Sequence, residues 1–256
     1  MRTEHTTFPG ADGSMLAARL DAPEGRARAH ALFAHCFTCG KDIFAASRIA
    51  QALVEHGVAV LRFDFTGLGA SEGEFGNTNF TSNVADLVAA ANFMRSTDRA
   101  ASLLIGHSLG GAAVLAAASS IPDARAVATL AAPSDPGHVA GLFRDSVPEI
   151  EARGEALVQL AGRSFRIKRQ FLLDIAEHNL REKIHHLGRA LLLLHSPVDA
   201  TVPIGNATGI FVNAQHPKSF VSLADADHLL TRRSDAVYAA NMIAAWSDRY
   251  VVQDAS

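Results

Sequence analysis

Three features of the sequence predict an α/β fold, a mostly parallel sheet covered by helices on both faces. Short runs such as Val58-Ala59-Val60-Leu61 and Ala190-Leu191-Leu192-Leu193-Leu194 are apolar at successive positions, as strands buried on both sides must be. They alternate with stretches whose apolar residues recur at helical spacing, as Val84, Leu87, Val88, Ala91 and Met94 do. One run, Ser102-Leu103-Leu104-Ile105, passes through Gly106-His107-Ser108-Leu109-Gly110 straight into an Ala-rich helical stretch, so strand, tight turn and helix follow one another.

Taken in order, residues 14–21 and 29–35 read as strands, with a turn at Pro23-Glu24-Gly25 between them. Residues 42–56 read as a helix ended by Gly57, and Val58–Asp64 as an apolar strand. A Gly-rich loop, Thr66–Gly73, leads to a helix over 80–96. It lacks the Gly-Lys-Ser/Thr ending of a phosphate cradle and reads as a tight turn held by Asp64 and Ser71. Residues 102–120 form the strand–turn–helix, and Ala126–Leu130 a strand closed by Pro133. Alternation then breaks. Residues 134–187 carry most of the charged runs, with a small hairpin over 157–167 turning near Gly162 and helical character over 168–187. They read as a cap inserted into one core made of residues 1–133 and 188–256. Alternation resumes with strand 190–195, helix 203–214, strand 219–223 and helix 232–250.

A chain of 256 residues, 48% hydrophobic and 19% charged, can bury one large core. A net charge of −3 gives no electrostatic signal for nucleic acid or an anionic membrane. No apolar run reaches the roughly 18–20 residues of a membrane span, and the first residues lack the apolar centre of a signal peptide. A cytoplasmic location is the expectation. The chain has 12 histidines, but His185-His186 has no metal-ligand spacing, so neither a metal nor a cofactor is expected.

Gly-x-Ser-x-Gly between a strand and a helix is the pattern of a nucleophile elbow. A serine on so sharp a turn takes a strained backbone, and side chains at positions 106 and 110 would collide with the neighbouring strand and helix. In parallel sheets functional residues collect at the carboxyl ends of strands. Asp199 lies just past one such end and His228 just past the last. A serine hydroxyl needs a base to take its proton, an imidazole can do so and return it, and a buried carboxylate orients that imidazole. Ser108, His228 and Asp199 are therefore the candidate nucleophile, base and orienting acid. Asp225 and Asp227 compete with Asp199 but sit in the histidine's own loop. His107 occupies a variable position of the elbow and reads as structural. The developing oxyanion needs two N–H donors, assigned to Leu109, after the nucleophile, and to Phe37, in the loop after the strand ending at His35.

These residues carry a resemblance. Arg62–Gly73, His35–Asp42 and Asn77-Thr78-Asn79-Phe80 together resemble the α/β-hydrolase superfamily, in particular serine hydrolases with a small cap, and look like the hydrolase half of bifunctional proteins fused to an OsmC-like domain. The resemblance implies the α/β-hydrolase fold and the triad Ser108, Asp199 and His228. It implies hydrolysis of a small-molecule carboxylic ester or thioester through an acyl-enzyme, without a cofactor. One departure is Cys36, where the family's loop carries a glycine after the histidine.

Other readings stay open. A peptidase of the same fold would need a fixed carboxylate to bind a substrate amine, with Glu149, Glu151, Glu155 and Asp174 as candidates. A hydrolase fold kept only for binding is a third reading. Leu142, Phe143, Phe165, Phe171 and Leu172 are candidates to line an acyl pocket. Cys36-x-x-Cys39 reads as two small residues packing a loop, with reversible oxidation as the alternative.

Overall fold

The computed structural model describes residues 1–251. Its strands are β1 (Arg2–Pro9), β2 (Met15–Ala22), β3 (Ala29–Ala34), β4 (Val58–Phe63), β5 (Leu103–His107), β6 (Ala126–Leu130), β7 (Glu155–Leu160), β8 (Arg163–Lys168), β9 (Ala190–His195) and β10 (Lys218–Ser222). Its helices are α1 (Phe44–Glu55), α2 (Phe80–Ser96), α3 (Leu109–Ala117), α4 (Val147–Arg153), α5 (Arg169–Glu177), α6 (Leu180–His185), α7 (Gly205–Asn213) and α8 (Arg233–Val251). Eight strands form one sheet in the order β1-β2-β4-β3-β5-β6-β9-β10. From β4 to β10 every pairing is parallel; β1 and β2 run antiparallel at one edge. This is the α/β-hydrolase fold.

The continuous apolar runs follow from double coverage. Side chains alternate across a strand, so each central strand supplies one set to each face. Leu32, Leu104, Val127, Leu191 and Leu193 pack with Leu87 and Ala91 of α2 and Ala113 and Val114 of α3. Their neighbours Ala31, Phe33, Ile105, Ala128 and Leu192 pack on the other face, with Ile49 and Leu53 of α1 and Ala240 and Ile243 of α8.

β1 was absent from the sequence expectation. Its residues Arg2–Thr7 are polar and mostly exposed, and only Phe8 is buried. An edge strand needs no apolar face when pairing with β2 supplies its hydrogen bonds, so no periodic signal marks it.

Residues 134–187 contribute nothing to the eight-stranded sheet. They form a 3-10 segment over Pro136–Ser146, α4, the β7–β8 hairpin, α5 and α6. The hairpin turns through Ala161 and Gly162, both at positive φ. The segment is tied to the start of α2. Asn79 caps that helix by accepting from Ser82 N–H, and its side-chain amide donates to Gln170 at 3.0 Å. Thr81 N–H donates to the Asp174 carboxylate at 2.9 Å.

Candidate active site

Ser108 sits between β5 and α3 at φ 55 and ψ −125, a conformation most residues avoid. Its N–H donates to Leu130 O at 2.8 Å, which ties the turn to β6. A Cβ at Gly106 would lie 2.3 Å from Gly110 O, and one at Gly110 would lie 2.4 Å from the carbonyl oxygens of Ala34 and His35. These are backbone atoms that cannot step aside, so the turn closes only with glycine at both places. The predicted collisions are real, and they come from the turn itself and from β3.

Three chain-distant side chains meet at this turn. The carboxylate of Asp199, past the end of β9, faces Nδ1 of His228 at 2.8 Å. Because a carboxylate only accepts, Nδ1 carries the proton. The opposite nitrogen, Nε2, then presents a lone pair to the Ser108 hydroxyl, 2.9 Å away. The other Asp199 oxygen accepts from Thr201 N–H at 2.8 Å and Val202 N–H at 2.9 Å. Burial pushes the Asp199 carboxyl up, but the bond from His228 and the two N–H donors outweigh it and hold it below the ordinary carboxylate range. Asp225 and Asp227 turn elsewhere: the Asp225 carboxylate accepts two hydrogen bonds from the Arg232 guanidinium, at 2.8 and 2.9 Å, and Asp227 accepts from Leu229 N–H at 2.9 Å.

His107 is buried, and its Nε2 lies 2.7 Å from the carbonyl oxygen of His228. Burial, aided by the neighbouring His228 ring, pushes its imidazole down to about 4. It is neutral in neutral water and holds the main chain of the residue beside which it packs.

The loop after β3 brings Phe37 to the same place. Among the described residues neither the Phe37 nor the Leu109 N–H has an acceptor in the protein. Leu109 is the first residue of α3, where helix N–H groups are free and the helix dipole favours negative charge. The loop is held from below by Asp64. One oxygen of that carboxylate accepts from Lys41 N–H at 2.6 Å, and the other from Lys41 Nζ at 2.8 Å and Ala70 N–H at 2.9 Å. Asp64 thus joins the Phe37 loop to the Gly-rich loop, and Ser71 closes the latter on Asp64 O at 2.5 Å. The sequence showed the Gly-rich turn but not this buried ion pair, because Lys41 reads as an ordinary loop cation.

The loop contains a second feature that differs from expectation. Cys36 and Cys39 are joined by a disulfide, not merely packed side by side. Their spacing was the available signal.

The family model described as serine aminopeptidase, S33 matches residues 26–180, more than half of the chain. The chain belongs to this α/β-hydrolase family. The hydrolase is 48% identical to the esterase domain of a Rhodothermus marinus protein, with a TM-score of 0.80 over 98% of this chain and 99% of that one. Est1E from Butyrivibrio proteoclasticus, a structure with ferulic acid bound, shares the fold at 20% identity, with a TM-score of 0.77 over 94% of this chain and 98% of that one. The α/β hydrolase GrgF from Penicillium sp. sh18 does so at 19% identity, with a TM-score of 0.80 over 99% and 100%. No curated protein sequence matches the chain. These relations carry the superfamily; they do not extend to the narrower resemblance to hydrolase halves of OsmC-like fusions.

Ser108 and His228 of the hydrolase open on a cleft of about 1060 Å³, also lined by Phe37, Phe44, Leu142 and Leu229. Phe44, Leu142 and Leu229 are large apolar residues that nonetheless stand exposed at its rim. Of the residues expected to line an acyl pocket, only Leu142 does. Phe143, Phe165 and Phe171 are buried: Phe143 and Phe171 pack against Phe37, with ring centroids 6.3 and 5.4 Å away, and Phe165 packs against Phe75 at 5.0 Å. Leu172 packs against the core. None of the carboxylates considered for binding a substrate amine faces the cleft. Glu149 pairs with Arg153, Glu155 with Arg166, and Asp174 bonds to Thr81. The carboxylates that do line it, Asp42 and Asp64, are both paired with Lys41. Among the described residues no cluster of three or more His, Cys, Asp or Glu could hold a metal, and no helix is long and apolar enough to cross a membrane.

Proposed function

We propose that this protein is a serine carboxylesterase acting on small-molecule esters or thioesters with a sizeable apolar part. The observation that carries the reading is the unbroken relay from Asp199 through His228 to Ser108, at 2.8 and 2.9 Å, opening on an apolar cleft. In this reading Ser108 Oγ attacks the acyl carbon while His228 Nε2 takes its proton. Asp199 stabilises the imidazolium that forms. The free N–H groups of Phe37 and Leu109 receive the oxyanion, and each such donor typically contributes about 10²–10³ in rate. His228 then protonates the leaving alcohol or thiol, and water, deprotonated by the same ring, releases the acid from the acyl-enzyme. Residues 134–187 act as the cap, fixing Phe37 from behind through Phe143 and Phe171.

The 48% identity to an esterase domain supports an ester substrate over a peptide. So does the lack of an unpaired carboxylate at the cleft that could bind an amine. The exposed apolar rim supports aryl or medium-chain acyl groups, which gain on the order of 25 cal/mol for each Å² of apolar surface buried. A panel of nitrophenyl esters and acyl thioesters beside aminoacyl anilides tests the reading, with fluorophosphonate labelling of Ser108. Turnover of esters and labelling at Ser108 are expected. Cleavage of the anilides alone, or labelling at another residue, would sink it.

A further inference from the structure

Cys36 and Cys39 flank the residue whose N–H is free to face the cleft, and both line that cleft with Ser108. Cys36 is buried and Cys39 is partly exposed, so Cys39 is the member of the pair more open to a reductant. Between them Thr38 sits at φ 58, a conformation that a β-branched residue takes only when its surroundings force it. Three restraints do so here. The disulfide closes the loop, Cys39 N–H donates to Cys36 O at 3.1 Å, and the guanidinium of Arg163, from the tip of the β7–β8 hairpin, donates to Thr38 O.

We infer that Cys36–Cys39 is a reducible thiol–disulfide site whose state sets the position of the Phe37 N–H, and through it the rate of acyl transfer. The consequence for rate rests on the esterase reading above; the redox site itself does not. The partner is a dithiol. One thiolate of the dithiol attacks Cys39 Sγ, the Cys36–Cys39 bond breaks, and Cys36 leaves as a thiolate and takes up a proton. The second thiolate of the dithiol then attacks its own sulfur in the mixed disulfide and releases Cys39, which is protonated in turn. Two electrons and two protons pass to the protein, and the reductant ends as a cyclic disulfide. With the bond open, Thr38 relaxes to negative φ, the turn loosens and Phe37 N–H leaves the mouth of the cleft. Ser108, His228 and Asp199 share no hydrogen bond with Cys36 or Cys39 and keep their arrangement. A compartment rich in dithiols would thus hold the enzyme slow and an oxidising one hold it fast.

The test uses the full chain, oxidised and after treatment with dithiothreitol under native conditions. Iodoacetamide alkylation read by mass counts thiols, hydrogen exchange reports on the peptide spanning residues 33–44, and nitrophenyl ester turnover gives kcat and KM. Two alkylations after reduction, faster exchange across that peptide, and a fall in kcat of about 10²-fold restored by a disulfide oxidant are the expected results. The Cys36→Ser, Cys39→Ser double variant should match the reduced enzyme and ignore both reagents. No alkylation under native dithiol, or two alkylations with unchanged exchange, overturns the inference, as does unchanged kcat in an enzyme that is active. Absence of ester turnover in both states overturns the functional reading instead, and the alkylation and exchange results still decide the redox site.

Discussion

Nε2 of His107 donates to the carbonyl oxygen of His228 at 2.7 Å. The residue preceding the candidate nucleophile therefore holds the main chain of the candidate base, 121 positions away. The end of β5 and the turn that follows it thus carry the candidate nucleophile and hold the main chain of the candidate base.

If that bond positions the base, His107→Ala should lower kcat by about 10–100-fold with little change in KM, since small misplacements of a catalytic group cost this much. His107→Gln, which can offer an amide N–H, should recover part of the loss. Equal activity in all three proteins would remove the positioning role.

The same ring predicts how stability depends on pH. Its pKa is about 4 in the folded protein against 6.5 for a free histidine, so between those values the unfolded chain binds more protons. The contribution is complete above pH 6.5 and is lost as pH falls toward 4. It amounts to about 3 kcal/mol at most. His35 and His195, also pushed down chiefly by burial, act in the same direction. Urea unfolding at several values between about pH 7 and pH 5 should show falling stability, with a shallower slope in His107→Gln. An unchanged slope in the variant would count against the buried-histidine account.

Asp199→Asn keeps the size of the side chain but presents an amide to Nδ1 of His228, which favours the wrong tautomer. A loss of about 10⁴ in kcat is expected, with Tm near that of the parent. Steady-state kinetics and a melting curve on the same sample check it. A loss under tenfold would mean that another group orients His228.

Gly110→Ala would place a Cβ 2.4 Å from two backbone oxygens of the β3 end, whereas at Gly141 an added Cβ meets nothing within 4 Å. Gly110→Ala should cost about 3 kcal/mol or more, or prevent folding, and Gly141→Ala should lie within about 0.5 kcal/mol of the parent. Similar melting temperatures for the two variants would show that the elbow can widen.

The fold was legible in the sequence because its central strands are buried on both faces. Such strands are apolar at most positions, with buried polar exceptions such as Arg62 and Thr129, and most of the helices between them show an apolar stripe. β1 escaped for the converse reason: its polar residues, from Arg2 to Thr7, are held by pairing, which leaves no mark in composition. The elbow could be read because only glycine fits at 106 and 110, and steric exclusion acts over a few residues.

Chain order alone placed Ser108, Asp199 and His228 each past the end of a strand, and thus on one edge of a parallel sheet. Which aspartate reaches the ring, which of five apolar residues faces the cleft, and what holds Phe37 were settled only by the tertiary structure. Those outcomes depend on where a side chain points once distant segments have packed. The Asp64–Lys41 pair, the Arg163 hydrogen bond to Thr38 and the His107 hydrogen bond to His228 each join residues whose nearness no local pattern encodes. Periodicity and sterics act between neighbours along the chain, whereas the electrostatics of a site act between neighbours in space.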